Sequence, residues 1–283
     1  MAAAILVDDP ADPRLGDYIG LTDAALRHRL ETTDGVFIAE GDLAIRALVA
    51  SPFPVRSVLV TAARHRALID VLEPLGSPVY VGEPELLRAV VGFDLHRGAV
   101  AAAGRLPLAP AAELVSGARL VLVVEAVNDH ENLGALFRNA AAFGVEAVLL
   151  SPTCADPLYR RSVRVSLGHV LGVPFTRLPD WPAGLGALRA GGFTVVALSP
   201  RLPARSVDTL GPLAAADGGL VLMVGAEGPG LSAGALAQAD HRVRVEMAPG
   251  VDSLNVATAA AVALHRAARL GVAGPATAAP ARS

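Results

Sequence analysis

Five near-continuous apolar runs in the second half of the chain constrain its fold more than any other feature. They are LVLVVEAV at 120–127, VEAVLLS at 145–151, FTVVALS at 193–199, GLVLMVG at 219–225 and HRVRVEM at 241–247. Each is rich in β-branched residues, and most lack the strict alternation of a half-exposed strand. Runs of this kind, separated by helix-like stretches, belong in a parallel sheet covered by helices on both faces. The first hundred residues alternate too, with strands expected at 36–40, 55–61, 78–81 and 98–103 and helices near 41–50, 63–72 and 83–90. At 283 residues the chain has room for two cores. The expected organisation is an α/β domain over 1–104, a proline-containing linker over 105–119, a parallel-sheet α/β domain over 120–272 and a disordered tail over 273–283.

Composition removes several classes of function. No stretch of about 18 uninterrupted apolar residues exists, so no membrane span is expected. The N-terminal MAAAILVDDPADP is acidic where a signal peptide would be basic, which points to the cytoplasm. Cys154 is the single cysteine, and the seven histidines show no metal-ligand spacing, so neither an internal disulfide nor a metal site is expected. All 24 basic residues are arginine, and the net charge is −3. Residues 1–104 hold 9 Arg against 14 acids, whereas 105–283 hold 15 Arg against 13 acids. A polyanion is therefore expected mainly against the second half, helped by Arg160, Arg161 and Arg164.

Three short segments sit where an apolar strand gives way to a helix, the place at which open α/β sheets bind ligands. In NLGALFRNA (132–140), Asn132 can cap a helix running to Phe143 with Gly144 beyond its end, and Arg138 can reach back over Gly134 and Ala135 toward an anion at the helix mouth. In GAEGPGLS (225–232), three glycines allow close approach of backbone to a ligand, and Glu227 places a carboxylate among their amides. The order G-x-x-G-x-G is not a dinucleotide fingerprint, and without lysine no Walker A loop exists. In SLNVA (253–257), Ser253 is a plausible cap for a helix ending near Leu270, with Asn255 in its first turn. The alanines of that helix suit close helix packing, within the domain or across a dimer.

The identity, order and spacing of these three segments resemble the SpoU family of RNA ribose 2′-O-methyltransferases, over roughly 120–270. The family's small RNA-binding domain, itself similar to certain ribosomal proteins, is resembled by RHRLETTDGVFIAEGDLAIRAL (27–48) and HRGAVA (96–101). The resemblance implies a trefoil-knotted domain, S-adenosyl-L-methionine as cofactor, RNA as substrate (ribosomal more than transfer RNA) and a homodimer paired through the knotted domain. It further implies cofactor contacts at Gly225, Gly228, Val245, Met247 and Leu254, and a reaction centre of Asn132, Arg138, Glu227, Ser253 and Asn255. Arg27, Arg29 and His96 are candidate RNA contacts, and His130 or a phosphate oxygen is a candidate proton acceptor. Two departures lie beside the cofactor loop, where Glu246 and Pro249 replace the proline and glycine common in the family. A non-catalytic RNA-binding or assembly protein on the same fold and a nucleotide-dependent oxidoreductase are the competing classes.

Overall fold

The computed structural model describes residues 4–22, 34–95, 98–210, 213 and 218–269. The chain divides into two compact units, Met1–Pro107 with Pro157–Gly172, and Leu108–Asp156 with Val173–Ser283. No helix among the described residues is long and apolar enough to cross a membrane.

In the first unit, β1 (Ala4–Leu6), β2 (Val36–Glu40), β3 (Val55–Val60), β4 (Val79–Val81) and β5 (Ala99–Gly104) form a mixed sheet in the order β1-β4-β3-β5-β2. β1, β4 and β3 are parallel, and β5 runs antiparallel to both its neighbours. Helices α1 (Asp42–Val49) and α2 (Pro84–Val91) each bury an apolar stripe: Ala44, Ile45 and Leu48 in the first, Leu86, Leu87, Val90 and Val91 in the second. Gly92, in the left-handed region at φ 82°, ends α2 as a glycine commonly does.

The expectation of two contiguous domains needs one correction, because Pro157–Gly172 packs with the first unit. Gly168 explains part of this: its φ is +82°, and a Cβ there would collide with Ala47 of α1. The helix Arg160–Val165 supplies the rest. Arg160 and Arg164 both pair with the buried Glu40, at 2.8 and 3.4 Å, and the Arg160 guanidinium lies 4.0 Å from the centre of the Phe93 ring. Two of the three arginines expected to attract a polyanion are thus engaged with a carboxylate of their own unit.

The second unit is built on β6 (Leu120–Glu125), β7 (Ala147–Leu150), β8 (Phe175–Arg177), β9 (Phe193–Leu198), β10 (Arg205–Ser206), β11 (Gly219–Gly225) and β12 (His241–Arg244). They form one sheet in the order β10-β12-β9-β11-β6-β7-β8, and every pair is parallel. The parallel α/β expectation is met, and the five apolar runs are five of its strands. Residues 120–124 and 220–223 are completely buried, as central strands covered on both faces must be. The chain lays β7 and β8 on one side of β6, then crosses to place β9 on the other, and β11 later enters between β9 and β6. That reversal of direction leaves a crevice at the carboxyl ends of the strands.

Two further helices meet at this edge, α3 (His130–Ala142) and α5 (Val256–Arg269), with α4 (Ala233–Gln238) between them in sequence. Ala257, Ala260, Ala263 and Ala267 are buried within the chain, so the alanine-rich side of α5 serves packing inside this unit. Asn139 of α3 donates to the Ala257 carbonyl at 2.8 Å, locking the two helices together.

Candidate active site

Helix capping at this edge differs from the sequence expectation in two places. The N-cap of α3 is Asp129, whose Oδ1 accepts from the backbone N–H of Glu131 and of Asn132, each at 2.8 Å. Asn132 lies inside the first turn instead. The helix mouth is consequently filled by a carboxylate, which satisfies the amides and opposes a second anion there. At the other end the expectation holds, for α3 stops at Ala142 and Gly144 takes a left-handed φ of 71°. The cap of α5 is Asn255 and not Ser253. Asn255 Oδ1 accepts from Ala257 N–H at 3.0 Å and Thr258 N–H at 3.1 Å.

With its oxygen committed to the cap, the Asn255 amide nitrogen points the other way. It donates to Asn132 Oδ1 at 2.7 Å and to Glu227 Oε1 at 2.8 Å. One side chain therefore joins the three segments singled out in the sequence, across separations of 123 and 28 residues. The amide orientation is the one that pairs every donor with an acceptor.

The loop carrying Glu227 folds back over the end of β11. Gly230 N–H donates to the Ala226 carbonyl at 2.9 Å, and a Cβ on Gly225 would collide with the backbone of Gly230 and Leu231. Gly225 is glycine because another stretch of main chain occupies the space of a side chain. Arg201 holds the loop from outside, donating to the Pro229 carbonyl at 3.2 Å.

Under this loop lies a cavity of about 410 Å³, within the ~300–1,000 Å³ of small-molecule sites. Its wall includes Leu198 and Ser199 at the end of β9, Val224 and Gly225 at the end of β11, Glu227, Gly228 and Gly230 of the loop, and Val245, Met247, Ser253, Leu254 and Asn255 before α5. All five expected cofactor contacts, Gly225, Gly228, Val245, Met247 and Leu254, are on this wall. Glu246 and Pro249 are exposed and are not, so the two departures sit beside the cavity and not within it. A second cavity of about 410 Å³ lies across the cluster, lined by Val127, Asp129, Asn132, Ala226, Glu227 and Pro229 among others. Glu227 is shared by both walls, and it is the charged side chain of the first.

Of the expected reaction centre, Asn132, Glu227 and Asn255 are hydrogen-bonded together and Ser253 lines the first cavity. Arg138 is not brought to it. It is exposed on α3 and lines neither cavity. Arg27, Arg29 and His96 lie outside the described residues, as does the 273–283 tail. Among the described residues no cluster of His, Cys, Asp or Glu could hold a metal ion. The sequence reasoning passed over Glu125, which ends β6 and is 5% exposed. Its signal was a single acid closing an otherwise apolar strand, LVLVVE.

Fold and site define an α/β protein with a cavity of small-molecule size at the carboxyl edge of a parallel sheet, beside a cluster of two amides and a carboxylate. The SpoU rRNA Methylase family model matches residues 119–265. An uncharacterised tRNA/rRNA methyltransferase of Mycobacterium tuberculosis is 47% identical over 94% of this chain and 92% of its own. A 23S rRNA (guanosine-2′-O-)-methyltransferase of Ralstonia nicotianae is 31% identical over 73% of this chain and 84% of its own. The AdoMet-bound rRNA methyltransferase of Sinorhizobium meliloti superposes with a TM-score of 0.74 at 26% identity, covering 94% of this chain and 98% of that one. The chain belongs to the SpoU rRNA methylase family and is a methyltransferase of that family.

Proposed function

We propose that this protein transfers a methyl group from S-adenosyl-L-methionine to a ribose 2′-hydroxyl of structured RNA, ribosomal RNA before transfer RNA. The observation that carries this reading is the joining of Asn132 to Glu227 and Asn255 through one amide, the latter two on the wall of a cavity of cofactor size. The residues present fit the cofactor. Val245, Met247 and Leu254 offer an apolar wall, Gly225 and Gly228 expose main chain, and Glu227 supplies a negative charge suited to a cationic ligand. Bound there, S-adenosylmethionine would supply an activated methyl group for in-line displacement.

The chain's own residues align the acceptor and bear the charge that develops on it. Asn255 and Glu227 orient groups at the cavity wall, with Ser253 beside them, and Asn132 extends the cluster toward the second cavity, where the RNA enters. Arg138 grips the target phosphate and stabilises the nascent alkoxide. A guanidinium does not deprotonate in a protein, so the hydroxyl proton leaves to a phosphate oxygen or to His130. Because Arg138 stands away from the cavity of its own chain, the homodimer implied by the resemblance matters: pairing through this domain offers Arg138 a second cavity to reach.

The trefoil knot, the RNA-binding role of a domain over 1–104, the linker over 105–119 and a cytoplasmic location belong to the same proposal. The experiment is incorporation of labelled methyl into RNA followed by alkaline hydrolysis. A 2′-O-methyl group blocks cleavage of the adjoining phosphodiester, so the label is expected in alkali-resistant dinucleotides. Label released entirely as mononucleotides contradicts the ribose assignment.

A further inference from the structure

Glu125 is a carboxylate removed from water at the end of a central strand, with both oxygens engaged by neutral donors. Oε1 accepts from the Trp181 indole N–H at 2.7 Å, and Oε2 accepts from the backbone N–H of Ser232 at 2.8 Å. No cation pairs with it among the described residues, so these two donors hold it. The Ser232 donor belongs to the 225–232 loop. Glu125 stands opposite Gly225 in the β6–β11 ladder, and Ser232, whose N–H it holds, is the cap of α4. Between those two fixed points the loop is closed by the Ala226–Gly230 bridge and carries Glu227 at its turn. Glu125 itself lines neither cavity.

We infer that Glu125 is a positioning residue for the cofactor: by gripping Ser232 it sets the loop whose main chain and Glu227 face the cavity, and by gripping Trp181 it couples that loop to the chain's single tryptophan. This rests on the methyltransferase reading. Glutamine at 125 offers one acceptor and one amide donor to two N–H donors, so one of them faces an NH₂ group. A substitution at Trp181 that removes the indole donor lets that glutamine turn its oxygen to Ser232.

The test is calorimetry with S-adenosylhomocysteine on wild type, Glu125→Gln, Trp181→Phe and the double variant, with tryptophan emission followed in the wild type. Glu125→Gln is expected to raise the cofactor Kd and KM about tenfold, with kcat at saturating cofactor within about threefold of wild type. The double variant is expected to bind more tightly than Glu125→Gln alone, a reversal of sign that a merely structural loss does not produce. Wild-type emission is expected to change on cofactor addition with the calorimetric Kd. Unchanged emission at saturation overturns the role whether or not Glu125→Gln folds, and so does a folded Glu125→Gln that binds as tightly as wild type. Wild-type protein that binds no cofactor overturns the methyltransferase reading and this role with it, which separates the two failures.

Discussion

Asn255 does two jobs with the two halves of one amide, and they can be separated by substitution. Its oxygen caps α5 through Ala257 and Thr258, while its nitrogen ties Asn132 to Glu227. Asn255→Ala removes both. Loss of an N-cap costs about 1 kcal/mol, which in a chain of this size lowers Tm by ~2–4 °C. Asn255→Asp keeps the capping oxygen, and a negative charge at the start of a helix gains roughly 0.5 kcal/mol. Against that stands Glu227, whose carboxylate then faces a like charge; at about 4 Å in a water-like dielectric the repulsion is about 1 kcal/mol. These terms nearly cancel, so Asn255→Asp is expected to melt within about 2 °C of wild type. Both variants lose the donor to Glu227, and both are expected to transfer methyl at least about tenfold more slowly at saturating cofactor. Circular-dichroism melts and single-turnover transfer measure the two effects. An Asn255→Asp protein that melts as low as Asn255→Ala refutes the capping assignment, and one that transfers at the wild-type rate refutes the need for the amide donor.

Three other outcomes follow from the structure. Arg138→Ala is expected to abolish turnover while leaving cofactor affinity near wild type, because Arg138 lines neither cavity; calorimetry showing affinity lost in parallel contradicts the phosphate role. Gly225→Ala forces a Cβ into the backbone of Gly230 and Leu231, so a loss of about 1–3 kcal/mol in stability and a weakened cofactor complex are expected in denaturant titration and calorimetry. Burial pushes the Tyr18 hydroxyl well above the ordinary tyrosine range, opposed by hydrogen bonds from Ser57 and the Ala102 backbone. Native Tyr18 keeps its proton where the unfolded side chain loses it, so stability is whole below about pH 10 and falls as pH rises beyond it. Tyr18→Phe is expected to flatten that alkaline fall, and an unchanged slope contradicts it.

The sheet was legible because strands buried on both faces must be apolar throughout, and 120–125 and 219–225 could be little else. β8 and β10 were missed for the converse reason: FTR and RS are short and carry no apolar run. β1, three residues at the edge of its sheet, escaped because AIL is too short for a strand period to show. Caps were read two or three residues away from where they fall, since Asp129 and Asn132, or Ser253 and Asn255, are chemically equivalent candidates until the helix axis is placed. The wall of the cavity was readable from motif order, but the hydrogen bonds within it were not. Glu125 illustrates the limit, because its partners are 56 and 107 residues away and neither neighbours it in any sequence pattern.

The most direct measurement is nucleoside mass spectrometry of ribosomal and transfer RNA fractions from a strain lacking this gene, incubated with S-adenosylmethionine and either the wild-type protein or Arg138→Ala. A single new 2′-O-methylnucleoside, made by the wild type and absent with Arg138→Ala, is the predicted result. A base-methylated product would contradict the ribose chemistry, and no product from naked RNA or intact ribosomal particles would contradict the enzyme itself.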